Sequence, residues 1–209
     1  GTEAYLGADP YVMGGGLFCE GASTVELSGV VVRDNDAARG GGIAATYDCD
    51  LHVRNSTVED NQAQTHGGGI YSYSTTVAVE DSFFAGNDAN EYAGAIYLHI
   101  SEGELSGTVI DSNNSPGGAG LIANNSAVTL TGSEFRGNDS NTSAGALNFY
   151  YTTATIDDCL ITENEAGNKA GAMLASFSDV TITDTTFSDN VVGDTGGAFY
   201  LRDTTVTLA

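Results

Sequence analysis

The side chains best able to do chemistry in this chain are its carboxylates. Acidic residues number 28 against 6 basic ones, a formal net charge of −22. Asp157 and Asp158 are adjacent, and Asp34, Asp60 and Asp189 each precede an asparagine. Two carboxylates held several ångströms apart can serve as general acid and base on a sugar. Neighbours along a strand face opposite ways, so Asp157 and Asp158 converge only if the backbone turns there. Elimination from an acidic sugar also needs a positive group to hold the developing negative charge. The arginines, Arg33, Arg39, Arg54, Arg136 and Arg202, are scattered, and His52, His66 and His99 stand at unrelated places along the chain. No nucleophile motif and no His/Cys metal spacing is present in the sequence. The expectation is therefore a non-enzyme without catalytic residues, with a polysaccharide lyase or hydrolase as the alternative.

Charge narrows the partners. Phosphate backbones and anionic lipid surfaces need a basic face, so no nucleic-acid partner is expected and anionic membrane surfaces are disfavoured. No apolar run approaches the length of a membrane span. Asp and Asn in turns could ligate calcium, but no EF-hand loop or calcium-binding nonapeptide is present; the expectation is no cofactor, with calcium as the open case. Three cysteines cannot all pair among themselves. Cys19 and Cys49 are placed to bridge neighbouring repeats, which fits an oxidising exterior, and Cys159 reads as a small buried residue. The start, Gly1 to Pro10, has no signal-peptide pattern, so a leader was removed or the chain is part of a longer one.

The elements that position these residues repeat. A Gly-(Gly/Ala)-apolar pattern places its apolar member at Leu17, Ile43, Ile70, Ile96, Leu121, Leu147, Met173 and Phe199, at intervals of 25 to 27 residues. An apolar-x-x-Asn pattern runs in phase, ending at Asn35, Asn61, Asn87, Asn113, Asn138, Asn164 and Asn190. Pairs of alternating apolar residues, such as Leu51/Val53 and Val128/Leu130, mark a short strand with one buried face; Gly103/Leu105 and Ala154/Ile156 are weaker copies. No stretch has helical periodicity. The reading is an all-β, right-handed parallel β-helix of about eight coils, ~26 residues and three short strands each, with each strand pairing with its copy in the next coil. It forms a single domain, 1–209, with 1–13 as lead-in and an incomplete last coil that continues into or packs against further domains.

Both markers have structural jobs in such a coil. Glycine before the inward residue permits positive φ and close backbone approach. Asparagine tolerates left-handed φ and caps turns, and stacked copies can bond to one another as a ladder. The seven asparagines are therefore assigned to structure.

The segments GGGI at Gly69-Ile70 and GGAF at Gly197-Ala198-Phe199, together with FAGN at Phe84–Asn87, FRGN at Phe135–Asn138 and FSDN at Phe187–Asn190, resemble the GGAI and FxxN repeats of chlamydial polymorphic outer membrane proteins. Only three of the seven asparagine repeats carry Phe. The resemblance implies an extracellular or bacterial cell-surface, adhesin-like module.

Function is then sought between the markers. Alternation puts the residue after each inward marker outside, giving the row Phe18, Ala44, Tyr71, Tyr97, Ile122, Asn148, Leu174 and Tyr200. Its large members, Phe18, Tyr71, Tyr97, Ile122, Leu174 and Tyr200, are the candidate binding residues for a glycan or a surface protein, unless a loop covers them. A second outward column ends in Thr129, Thr155, Thr181 and Thr207, with the column beside it interrupted by Asp157. A flat threonine array makes ice binding the minor alternative, against the simple preference of Thr for strands.

Overall fold

The computed structural model describes residues 12–208. The chain is wound as a parallel β-helix with no α-helix among the described residues, and the right-handed coil read from the repeats is its architecture. The first sheet has eight strands, from Leu17–Glu20 to Phe199–Arg202; the second also has eight, from Thr24–Ser28 to Thr205–Leu208; the third has seven, from Val31–Arg33 to Thr186–Ser188. Every pairing is parallel and joins neighbouring coils. The marker residues Leu17, Ile43, Ile70, Ile96, Leu121, Leu147, Met173 and Phe199 form one continuous column of register partners. The expected lead-in falls largely outside the described residues; Met13 makes a single parallel bridge to Arg39.

The core is the stack of inward side chains. Ile43, Ile70, Ile96, Leu121, Leu147 and Met173 are fully buried against Val and Leu of the second sheet and Phe84, Ile110, Phe135 and Ile161 of the third. Truncating one of these to Ala costs about 2–5 kcal/mol. The weak copy at Gly103 has a packing reason. A Cβ there would lie 2.4 Å from the Leu98 side chain, so one large residue fills space that two share elsewhere.

The expected three strands per coil become four. Short strands at Asp36–Arg39, Gln62–His66 and Asp88–Ala89, and again at Asp139–Ser140, Glu165–Ala166 and Val191–Val192, form two small sheets bridged through Asn114. Their inward column is Ala37, Ala63, Ala89, Ser115, Ser140 and Ala166, all buried. Small residues carry no hydropathy alternation, which is why this strand is silent in an apolar pattern.

Two marker roles are also reassigned. At Gly67-Gly68-Gly69-Ile70 the positive φ of 67° belongs to Gly67, the first of the triplet. Gly68 instead admits the neighbouring coil: a Cβ would sit 2.5 Å from the carbonyl oxygens of Asp88 and Gly94. The left-handed residue of the third corner is the one before each asparagine, as at Asp34, Asp60, Ser112, Glu163 and Asp189. That shift frees the asparagine side chain to turn inward.

Candidate binding surface

Inside the third corner the asparagines stack. The amide Nδ2 of Asn87 donates to Oδ1 of Asn113 at 2.9 Å and to the Val58 carbonyl at 2.9 Å. Its own Oδ1 accepts from the backbone N–H of Asn61 at 3.1 Å and from Asn61 Nδ2 at 3.0 Å. The side-chain bond repeats from Asn35 to Asn61, Asn113 to Asn138, Asn138 to Asn164 and Asn164 to Asn190. Buried amides with every polar group bonded are structural parts, and they leave nothing for a ligand.

Two further ladders of hydroxyls escape a search for apolar spacing. After the first sheet, Thr75 N–H donates to Ser101 Oγ, Ser101 N–H to Ser126 Oγ, and Thr152 N–H to Ser178 Oγ. After the second sheet, Val30 N–H donates to Ser56 Oγ, Ser56 N–H to Ser82 Oγ, and Thr108 N–H to Ser133 Oγ. Cys159 occupies the same column, its thiol donating to the Asp157 carbonyl at 3.2 Å, and burial pushes the thiol pKa up. Cys19 and Cys49 are joined in a disulfide, with Cα atoms 6.1 Å apart.

The row expected from alternation is largely covered. Phe18 is 45% exposed, but Tyr71 is 6% and Ile122 5%, and Tyr97, Leu174 and Tyr200 are half-buried. The cause is the fourth segment of each coil, which lies over the first sheet. The Arg39 guanidinium carbon sits 5.5 Å from the Tyr71 ring, His66 meets Tyr97 edge-on at 4.8 Å, and Lys169 Nζ is 5.1 Å from the Tyr200 ring. At Gly118 a Cβ would lie 3.1 Å from the Ile122 side chain. The row is thus a seam rather than a free face.

That seam also gathers residues that stand apart in sequence. Tyr71 and Tyr97 stack with centroids 5.8 Å apart, Tyr92 is 5.2 Å from His66, and His99 is 6.3 Å from Tyr97. Two of the three histidines thereby share one cluster. Desolvation, then Arg39, then His99 push the His66 pKa down to about 4, and desolvation lowers that of His99. Desolvation raises the phenol pKa values of Tyr71 and Tyr97.

The carboxylates form no larger constellation. Asp157 accepts a hydrogen bond from the Thr183 hydroxyl, Asp158 lies in a left-handed turn, Asp34 and Asp60 follow the register partners Arg33 and Glu59 at one corner of adjacent coils, and Asp189 stands several coils away. No group of three His, Cys, Asp or Glu side chains suited to a metal ion occurs among the described residues. Thr129, Thr155, Thr181 and Thr207 are exposed on the second sheet.

A set of large exposed apolar groups lies elsewhere, at the corner between the first and second sheets. Its left-handed position is filled by Gly21, Tyr47, Ser74, Ile100, Asn125, Tyr151, Phe177 and Asp203. Tyr47 is 59% exposed, Tyr151 51% and Ile100 49%. Tyr73, His99 and Tyr150 join them from the ends of the first-sheet strands. The result is two aromatic groups along one ridge. In the first, Tyr47 meets Tyr73 at 5.4 Å and 72°, and Tyr73 meets His99 at 5.4 Å. In the second, Tyr150 meets Tyr151 at 4.5 Å and 73°, Tyr151 stacks on Phe177 at 5.0 Å, and Arg202 lies 4.9 Å over Phe177. Asn124 and Asn125 separate the groups, bonded amide to amide at 2.8 Å. The sequence signal was the pair of residues three and four places after each inward marker.

Residues 89–208 match the family described as the right-handed β-helix region, more than half of the chain. The chain belongs to the right-handed β-helix family. Within this β-helix, residues 55–73 also match the Chlamydia polymorphic membrane protein repeat. That stretch contains Asn61 of the ladder and the Gly67–Ile70 bend, and it ends on Tyr73 at the ridge. No curated protein and no solved structure matches the chain. The β-helix has no helix long and apolar enough to cross a membrane among its described residues.

The chemistry open to the ridge is binding. Aromatic rings on a rigid solenoid offer apolar area and π faces at little entropic cost, because the backbone beneath them is held by three hydrogen-bonded ladders.

Proposed function

We propose that this β-helix is an extracellular, surface-displayed, non-enzymatic module that engages a glycan or protein partner through the aromatic ridge between its first and second sheets. One observation carries the reading: bulky apolar side chains occupy solvent-exposed, left-handed positions along that ridge. Such a backbone costs a non-glycine residue roughly 1–2 kcal/mol, and exposure returns nothing to folding. Local cost without a folding gain is the signature of a functional surface. The repeat likeness to polymorphic membrane proteins supports the surface setting, and the disulfide fits an oxidising exterior. Scattered carboxylates support the absence of catalysis. The proposal includes no cofactor; a melting temperature that rises with calcium would revise it.

The test is a binding screen on arrays of oligosaccharides and immobilised extracellular proteins, with wild type beside Tyr47→Asn/Tyr151→Asn. Asparagine suits the left-handed turn, so the fold is kept. Loss of the captured partner by the double variant is expected. Undiminished capture would refute the ridge as the binding face.

A further inference from the structure

We infer that the ridge is a receptor for a basic segment of a partner protein, whose Arg and Lys side chains lie across the rings of Tyr47, Tyr150 and Tyr151 and reach the carboxylates beside them. The inference rests on the reading of the ridge as a binding face and names its guest.

Ring geometry favours a cationic guest over a sugar. A sugar chain is best stacked on a row of rings that share a plane. Here Tyr47 meets Tyr73 at 72° and Tyr150 meets Tyr151 at 73°, while Tyr151 stacks on Phe177 at 13°, so the ridge rings form no single plane. The outer faces of such edge-to-face pairs stay available singly, and a single ring face suits a cation.

Charge favours the same guest. Asp48, Asp50, Glu102, Asp179 and Asp203 are exposed on the ridge and at the adjoining starts of second-sheet strands. All six basic side chains of the protein are already engaged. Arg33, Arg54 and Arg136 pair with carboxylates. Arg39, Lys169 and Arg202 lie over aromatic rings. Among the described residues Arg202 is the one basic side chain on the ridge, against five exposed carboxylates there, and the net charge of −22 draws a basic partner toward them.

The ridge itself holds a precedent. Arg202 rests 4.9 Å above the Phe177 ring with Asp203 next to it in sequence. A guanidinium on a ring is the unit of contact that a basic guest would repeat at the exposed faces of Tyr47, Tyr150 and Tyr151.

The experiment uses fluorescence anisotropy with a labelled short peptide alternating Arg and Gly, its citrulline counterpart, and a panel of neutral oligosaccharides as competitors. The proteins are wild type and Tyr47→Asn/Tyr151→Asn/Phe177→Asn, which keeps the net charge and places a left-handed turn former at each site. Expected is salt-sensitive binding of the Arg peptide, no binding of the citrulline peptide, and a loss of about tenfold in the triple variant. Equal affinity of wild type and variant for the Arg peptide would overturn the inference, because bulk acidity alone would then account for binding. Neutral oligosaccharide binding that is lost in the variant, with the Arg peptide indifferent, would overturn the inference and leave the ridge standing as a sugar site. If wild type binds neither peptide nor sugar, both the inference and the ridge reading fall.

Discussion

Two corners of the same coil solve the same geometric problem with different residues. The corner between the second and third sheets places Gly29, Asn55, Asp81, Gly107, Gly132, Asp158 and Asp184 in the left-handed region. The corner between the first and second places Tyr47, Ile100, Tyr151 and Phe177 there, beside Gly21, Ser74, Asn125 and Asp203. Both are backed by a hydroxyl ladder. The first set is made of residue types that visit this conformation readily; in the second, half of the positions hold side chains that resist it. A demand common to both corners cannot explain the difference. Folding accounts for the Gly, Asn and Asp column, and something outside folding accounts for the aromatic one.

Both corners stand on one rigid frame, and breaking that frame should give the largest effect. Asn87→Ala removes an amide that accepts from Asn61 N–H and Nδ2 and donates to Val58 and Asn113. Two buried donors on Asn61 and the Val58 carbonyl would lose partners, so about 3 kcal/mol of destabilisation is expected in denaturant melts. A loss below about 1 kcal/mol would show that water replaces the amide and that the ladder is no frame.

Exchanging residue types between the corners comes next. Gly132 has a φ of 54°, and a Cβ added there would meet nothing within 4 Å, so Gly132→Ile tests backbone strain with no clash added at its first side-chain atom. It should cost about 2 kcal/mol. The reverse exchange, Ile100→Asn, should raise stability by about 1 kcal/mol, because Ile100 is half-exposed and gives up little burial. Opposite signs from the two melts are the expected result. If Ile100→Asn destabilises, the isoleucine is held for packing, and the distinction between the corners fails.

Much of the coil was legible because its signals are in phase. The inward marker and the asparagine are each read from residue type and interval alone; strands one coil apart pair at the first, and side-chain amides bond at the second. The fourth strand was not legible, since its inward Ala37, Ala63 and Ala89 give no hydropathy contrast. The exposure of the outward row was misjudged for a different reason. Alternation correctly puts Tyr71 and Tyr97 on the outer side of the first sheet, but alternation cannot report that Arg39, His66 and Tyr92 fold over them. The ridge lies where a strand ends, and there the period of two that governs a strand no longer applies.

Acid should distinguish the two corners with the smallest effect. The ridge adjoins the seam in which His66 is packed against Tyr71, Tyr92 and Tyr97, with Arg39 and His99 as the charged and titratable neighbours. An unfolded histidine titrates near 6.5, whereas His66 titrates at about 4 in the fold. Between these values the unfolded chain binds a proton that the folded chain does not, so stability falls as pH drops from 6.5 toward 4 and this contribution levels off below 4. The ring keeps contact with solvent, and screening brings the expected loss to about 1 kcal/mol. His66→Phe keeps an aromatic ring in the seam and cannot protonate; its Nδ1 has no hydrogen-bond partner to lose. Melts of the variant should lack the His66 share of the acid slope. Amide exchange should show the loss in wild type at Gln62–His66 and the adjoining first sheet, with the corner positions Asn55 and Asp81 unmoved. An acid slope identical in the two proteins would mean that the seam opens before His66 protonates, and the covered row would then belong with the exposed ridge as binding surface.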